Sequence, residues 1–412
     1  RRTGGPSGYA GGLLCWSGAA ARVVDTDGVF KQPVLMADKI VCPQHGAGWS
    51  RAAAGVSSPR IRVASPPQPW RKVRMDMKTL RQQARERMNG ACRVCPHCDG
   101  RACAGELPGM GGIRTAASFR ANITALEKVC LRMRLIHEVR APETACEVLG
   151  LPLSLPVLIA PLAGTTFNMG KGLPEERFAQ VVTEGARSAG TIACTGDGTP
   201  EAFDCGLKAV EAVEGWGIPV IKPWAGDVFF ERLERVAQAG CRVVGMDIDT
   251  AAITALAKSK RPVSPKSRAE LSAIVEKTHA LGLKFMLKGV LSVEDALAAE
   301  ECGCDAIVVS NHGGRAFEAV PGTAAALPAI VRNVKEMTVL ADGGVRSGAD
   351  VLKMLALGAR AVLIGRPAII AGMGGEEEGV QMLLSRMQRQ LAEGMLLTGC
   401  ASVREAGPHL LA

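Results

Sequence analysis

Within six residues, Ser310-Asn311-His312-Gly313-Gly314-Arg315 brings together an imidazole, two glycines and a guanidinium. An imidazole can exchange a proton near neutral pH, and a guanidinium can clamp a carboxylate with paired donors. The apolar run at 305–309 just before them is rich in β-branched residues and reads as a buried parallel strand. The group therefore stands at the carboxyl end of a strand, where α/β folds put their chemistry. A histidine alone in such a place reads as a hydrogen-bonded core residue. One flanked by glycines and an arginine reads as catalytic.

Two further stretches are suited to an anion. Asp342-Gly343-Gly344-Val345-Arg346 and Ile364-Gly365-Arg366-Pro367 each combine exposed backbone amides with a guanidinium, and their arginines stand 20 residues apart in sequence. Two glycine–arginine turns on neighbouring strands are suited to gripping a phosphate. A third stretch carries Cys92, Cys95, Cys98 and Cys103 in the spacing C-x2-C-x2-C-x4-C. That run approaches the ligand pattern of an iron–sulfur cluster, and it could also hold zinc with His97 as a spare donor. It reads equally as a reduced, cysteine-rich loop lying over the barrel mouth. The glycine-rich segment 105–112 that follows is a loop able to approach a ligand closely.

What must position these groups is an alternation of apolar strands and amphipathic helices from about residue 150. Candidate strands fall at 156–160, 190–194, 218–222, 242–247, 284–288, 305–310, 339–342 and 361–365, and helical patterns lie between them, as at 175–189, 229–239, 267–281 and 349–357. Ser292-x-x-Asp295 and Ser347-x-x-Asp350 are helix-start signals, each offering a side-chain acceptor to orphan amides. Eight such repeats predict a TIM (β/α)8 barrel over 150–412, with a helical, Cys-rich N-terminal lead-in over 75–149 and a closing helix at 376–396. The lead-in helices are expected near 115–137. A doubly wound open sheet is the alternative, but Pro161-Leu162-Ala163-Gly164 is not the glycine fingerprint that such a sheet usually carries. In a barrel the strand ends share one mouth. Here they would deliver Thr195, Lys222, Asp247 or Asp249, Lys288, His312 with Arg315, Asp342 and Arg366. So many converging charges are costly unless paired, which argues for a bound ligand.

Bulk properties narrow the field. Of the net charge of +9, residues 1–74 carry eleven Lys/Arg against three Asp, leaving 38 basic and 37 acidic side chains in the remainder. The body is nearly neutral and has no basic patch interleaved with aromatics, so nucleic acid is excluded as a partner. The longest apolar runs fall well short of the roughly 20 residues a transmembrane helix needs, so no membrane is expected. Fourteen cysteines, mostly single and in apolar contexts, suggest buried thiols in a reducing cytoplasm. Residues 1–74 lack any sustained period and are expected to be disordered or poorly packed, as sequence lying upstream of a true start at Met75 or Met77.

The combined pattern, Lys288-Gly-Val, Ser310 to Arg315, Asp342 to Arg346, Ala356-Leu-Gly-Ala, Ile364 to Pro367 and Thr398-Gly-Cys400, resembles the FMN-dependent α-hydroxy-acid oxidases and dehydrogenases, such as glycolate oxidase, lactate oxidase and the flavocytochrome-type lactate dehydrogenases. The resemblance is dense from about 284 to 406 and looser from about 135 to 250. It implies an FMN enzyme that oxidises a 2-hydroxy acid to a 2-oxo acid. His312 would be the base, with a hydride or electron pair passing to flavin N5. Asp249 would hold the imidazole and favour its charged form. Arg315 would clamp the substrate carboxylate, and Lys288 would stabilise the reduced flavin. Pro161, Leu162, Ala163 and Thr195 would line the flavin, with Lys222, Ser310, Gly313, Asp342 and Gly343 around it. Gly344, Arg346, Gly365 and Arg366 would take its phosphate. The resemblance also implies a homo-oligomer, and oxygen or a redox protein as electron acceptor.

The chain departs from that pattern where relatives place tyrosines. Trp224 stands at the end of strand three in the position of one, facing the substrate, and the cysteine loop occupies the region of the other. Lys222 replaces a glutamine that touches the flavin, and Asp247 replaces a threonine. These departures leave two other readings open. One is an FMN-dependent isomerase of the type-2 isopentenyl-diphosphate kind; the other is a non-catalytic flavin or iron–sulfur electron-transfer or sensor protein.

Overall fold

The computed structural model describes residues 75–251 and 262–412. The expectations for 1–74 lie outside those residues, as does most of the segment that follows the fourth barrel strand.

The lead-in opens with α1 (Met77–Arg87), whose N-cap Asp76 accepts the Thr79 amide at 2.7 Å. A non-helical stretch with the four cysteines follows, then α2 (Ala117–Glu127). Helix α2 is shorter than the expected 115–137. After Lys128 the chain turns extended and joins the C-terminal region through backbone bonds, Arg132 N–H to Leu410 O and Arg134 N–H to Leu397 O. Those partners replace the ones a longer helix would have given. Next comes an antiparallel hairpin not anticipated from the sequence, β1 (Cys146–Val148) and β2 (Leu151–Leu153). Its two turn residues, Leu149 and Gly150, both have positive φ, as a tight hairpin requires. Each three-residue strand buries alternate residues, too short a run to show as periodicity.

Eight parallel strands then close a barrel: β3 (Val157–Leu162), β4 (Ala193–Thr195), β5 (Ile218–Ile221), β6 (Val243–Asp247), β7 (Lys284–Val290), β8 (Ala306–Val309), β9 (Thr338–Ala341) and β10 (Val362–Ile364), with β10 pairing back onto β3. A closed ring excludes the open-sheet alternative. Strands β4, β5, β6, β8 and β10 are buried along their whole length, which is why they read as continuous apolar runs rather than alternations. The outer layer comprises α3 (Thr165–Asn168), α4 (Glu175–Ser188), α5 (Pro200–Ala212), α6 (Val228–Gln238), α7 (Arg268–Ala280), α8 (Val293–Glu301), α9 (Thr323–Asn333), α10 (Gly348–Ala356) and α11 (Arg366–Thr398). Ser347 and Asp350 form a full capping box on α10, whereas Ser292 accepts the Asp295 amide on α8 without the reciprocal bond.

The closing helix begins ten residues before the expected 376 and is interrupted at Glu376, which has φ 50°. The Glu376 carboxylate takes Arg177 Nη2 at 2.6 Å and Arg87 Nη1 at 3.1 Å, so the break ties α11 to α4 and α1. Among the described residues no helix is long and apolar enough to cross a membrane.

Candidate active site

At the carboxyl ends of the strands lies a cavity of about 880 Å3, within the range of small-molecule sites. His312 lines it from the turn after β8, with its backbone at φ 58°. A left-handed histidine is held only where surroundings dictate it. Here the His312 amide donates to Ser310 Oγ at 3.0 Å, and Ser310 Oγ donates to Asp342 Oδ2 at 2.8 Å. The ring Nδ1 lies 2.9 Å from Asp249 Oδ1 and 3.5 Å from Asp247 Oδ1. The carboxylates therefore fix Nδ1 as the protonated nitrogen and leave Nε2 as the one able to serve a ligand. Asp249 reaches the ring because β7 bulges at Gly289, where an added Cβ would come within 2.6 Å of the Asp249 side chain.

Behind the histidine, one buried carboxylate joins two buried ammonium groups. Asp247 accepts Lys222 Nζ at 2.6 Å on one oxygen and Lys288 Nζ at 2.7 Å on the other. Burial alone would push the Asp247 carboxyl up, but His312, Lys222 and Lys288 together hold it well below the usual carboxylate range. Burial likewise opposes the Lys288 charge, and Asp247, Asp249 and Asp342 outweigh it and raise that ammonium's pKa. Asp342, 3.9 Å from Lys288, is instead pushed up by burial, and its Oδ1 has no partner. Asp247, Asp249 and His312 bring three ligand atoms within 4.8 Å of one another. With both lysines on Asp247, that position is already filled by cations.

The other side of the cavity belongs to the glycine–arginine turns. Gly343, Gly344 and Arg346 after β9, and Gly365 and Arg366 after β10, all line it, as do Pro161, Leu162 and Ala163 at the end of β3 and Gly313 beside the histidine. Gly343 and Gly344 have φ of 89° and 84°, and an added Cβ at Gly365 would meet nothing closer than 3.9 Å. Arg346 Nε is buried without a partner. An open backbone cradle with an unsatisfied guanidinium donor fits an anion such as the phosphate of FMN. Burial, reinforced by repulsion from Arg315 and Arg346, pushes Arg366 down to about 9.

Four of the sequence-predicted residues stand off the cavity wall. Asp249 and Ser310 sit behind His312 and act through it. Thr195 is packed under α5, where Gly206 leaves room for it. Trp224 is buried just behind the wall; its Nε1 donates at 2.6 Å to Oδ2 of Asp197, which lines the cavity. Arg315 does line the cavity, yet its guanidinium also braces the lead-in, with Nη1 on Gly109 O at 2.5 Å and Nη2 on Asn168 Oδ1 at 3.1 Å. Burial lowers it to about 10, so it stays cationic at neutral pH.

Sequence reasoning missed the residues that hold this arrangement together. Asn122 of α2 and Asn311 exchange two amide hydrogen bonds of 2.8 and 2.9 Å in a buried pair. Phe119, Asn122, Ile123 and Leu126 share one helical face, so a polar residue on that apolar stripe was the available signal. Gly314 accepts α2 at close range: an added Cβ would lie 2.3 Å from Phe119 N. Asp197, which ties Trp224, Arg232 and the Lys222 amide together, carried no such signal.

Comparison with known proteins matches this architecture. A peroxisomal (S)-2-hydroxyacid oxidase of Arabidopsis thaliana is 30% identical over 325 residues, covering 71% of this chain and 87% of the relative. A 4-hydroxymandelate oxidase of Amycolatopsis orientalis is 32% identical over 359 residues, covering 74% and 94%. The crystal structure of a mandelate oxidase with (S)-4-hydroxymandelic acid superposes with a TM-score of 0.66 at 28% identity, covering 81% of this chain and 97% of that one. These relatives act on CH–OH donors, which sets the isomerase reading aside. The family model described as FMN-dependent dehydrogenase matches residues 110–279 and 259–412, and the chain belongs to that family, as an FMN-dependent hydroxy-acid oxidase or dehydrogenase.

Proposed function

We propose that this enzyme oxidises a small 2-hydroxy acid to the 2-oxo acid, with His312 as the base. The observation that carries the reading is the imidazole at the cavity wall with Nδ1 held 2.9 Å from Asp249, so that Nε2 is the free basic nitrogen. FMN, when bound, would supply the two-electron acceptor for the oxidation. His312 Nε2 accepts the hydroxyl proton as the carbonyl forms, and Asp249 and Asp247 stabilise the imidazolium. Lys288, buried on the cavity wall and held cationic by its carboxylates, would stabilise negative charge on a reduced cofactor. Arg315 orients the substrate carboxylate from the wall, while its bonds to Gly109 and Asn168 keep the fork rigid. Arg346, with Gly344, Gly365 and Arg366, would hold the cofactor phosphate. Trp224, set behind the wall residue Asp197, leaves substrate selection to the lead-in loop, of which Leu107, Pro108 and Met110 line the cavity.

Anaerobic mixing of the FMN-loaded enzyme with a panel of aliphatic and aromatic 2-hydroxy acids tests the reading. At least one acid should bleach the flavin and yield the 2-oxo acid. If dithionite bleaches it and none of the acids does, the proposal fails.

A further inference from the structure

Around the cysteine loop, a second and much smaller void of about 30 Å3 is enclosed by all four thiols, Cys92, Cys95, Cys98 and Cys103, together with Met110 and Arg366. All four cysteines are free, and none is exposed. We propose that these four thiolates bind a four-iron iron–sulfur cluster beside the Arg346 and Arg366 turns.

The backbone is built to present the sulfurs. Val94, Gly100 and Gly105 all take positive φ, so the run is an irregular loop rather than a helix, as thiolates from such close spacing need. Helix α1 holds that loop by its carbonyls: Arg81 Nη2 donates to Val94 O at 3.0 Å and Arg85 Nε to Arg93 O at 3.1 Å. Arg93 and Glu106 close the far side through two bonds of 2.7 Å. The Val94 amide donates to Cys92 Sγ at 3.3 Å, a contact that stabilises a thiolate.

Spacing of the sulfurs separates the candidate occupants. One zinc ion with thiolates at about 2.3 Å would draw tetrahedral sulfurs to roughly 3.8 Å from one another. Among the described residues, no three of these sulfurs are grouped within 4.8 Å of one another. Three of them in the spacing C-x2-C-x2-C, with a fourth on the same void, suit a cluster of several irons. Charge points the same way. Four thiolates holding a cluster leave the loop anionic, and the cations to balance it are present: Arg346 Nη2 lies 3.7 Å from Cys98 Sγ, and Arg366 forms part of the void's wall.

The test is metal and sulfide analysis of the full-length protein purified anaerobically, with flavin measured in the same sample. We expect about four iron and four acid-labile sulfide per chain and an EPR signal on reduction with dithionite. Cys95→Ala and Cys98→Ala should each lose the iron and retain FMN, the flavin showing that the barrel has folded. FMN-replete protein with four titratable thiols and no iron would overturn the proposal. One zinc per chain would overturn it too, as would iron that survives both substitutions. Should the variants fail to fold, the iron and sulfide content of the unaltered chain decides alone.

Discussion

The two sides of the barrel mouth solve the problem of buried charge differently. Between β5 and β8, Asp247 accepts both Lys222 and Lys288, and His312 Nδ1 lies against Asp249, whose second oxygen is buried without a partner. Beyond β8, Arg315 and Arg366 meet mainly neutral backbone carbonyls, and Arg346 keeps one donor unsatisfied. Burial pushes Arg315 down to about 10 and Arg366 to about 9, the signature of cations short of counter-charge. The first side is therefore organised before any ligand arrives. The second is completed by an anion. On the function proposed above, chemistry would belong to the former, because a base must hold its geometry through turnover, and affinity to the latter.

That contrast can be broken from either side. The largest effect is expected from His312→Ala, which should slow substrate-driven flavin reduction by about 10²–10⁴-fold, the usual worth of a positioned base, while FMN stays bound. Anaerobic stopped-flow reduction measures it, and an unchanged rate would remove the histidine from the chemistry. Next comes Asp247→Ala, which strands two buried ammonium groups and should cost about 3–5 kcal/mol in denaturant unfolding. The pH dependence sharpens the same point. Asp247 is depressed in the folded state, so its contribution is present above the ordinary value of 3.8 and is lost as pH falls through its lowered one. Lys288 is raised, so its contribution is present below 10.5 and is lost as pH rises beyond. The unaltered protein should thus draw stability from this set between about pH 4 and 10, and the Asp247→Ala variant should not. The smallest effect is expected from Arg346→Ala on the unbalanced side. It should weaken FMN about ten- to a hundredfold through loss of a charge-assisted contact, with little change in flavin reduction at saturating cofactor. Equilibrium dialysis against FMN measures that.

Sequence legibility divided along a different line. The barrel strands were readable because both faces are covered, and each of the eight was placed within about three residues by its apolar run alone. The glycine–arginine turns and the histidine turn were readable because strand ends are where such groups converge. What escaped depended on contacts remote in sequence. Asn122 and Asn311 are 189 residues apart, and only the fold shows that they form one pair. Trp224 stands at a strand end like its neighbours, but a buried Asp197 with Arg232 turns it from the mouth. The extension of α11 back to Arg366 escaped because 366–375 reads as a glycine-rich turn until α1 packs against it.

Gly109 O accepts from Arg315, Met110 O from Arg366, and Gly111 O from both. Cutting the chain at the start of the barrel would leave two sequestered guanidinium groups with most of their acceptors gone. The eight strands are thus not a self-sufficient module onto which the preceding segment was grafted. Any attempt to trim this enzyme, or to exchange its first hundred-odd residues with those of a relative, must carry that short strap along with the loops it fastens.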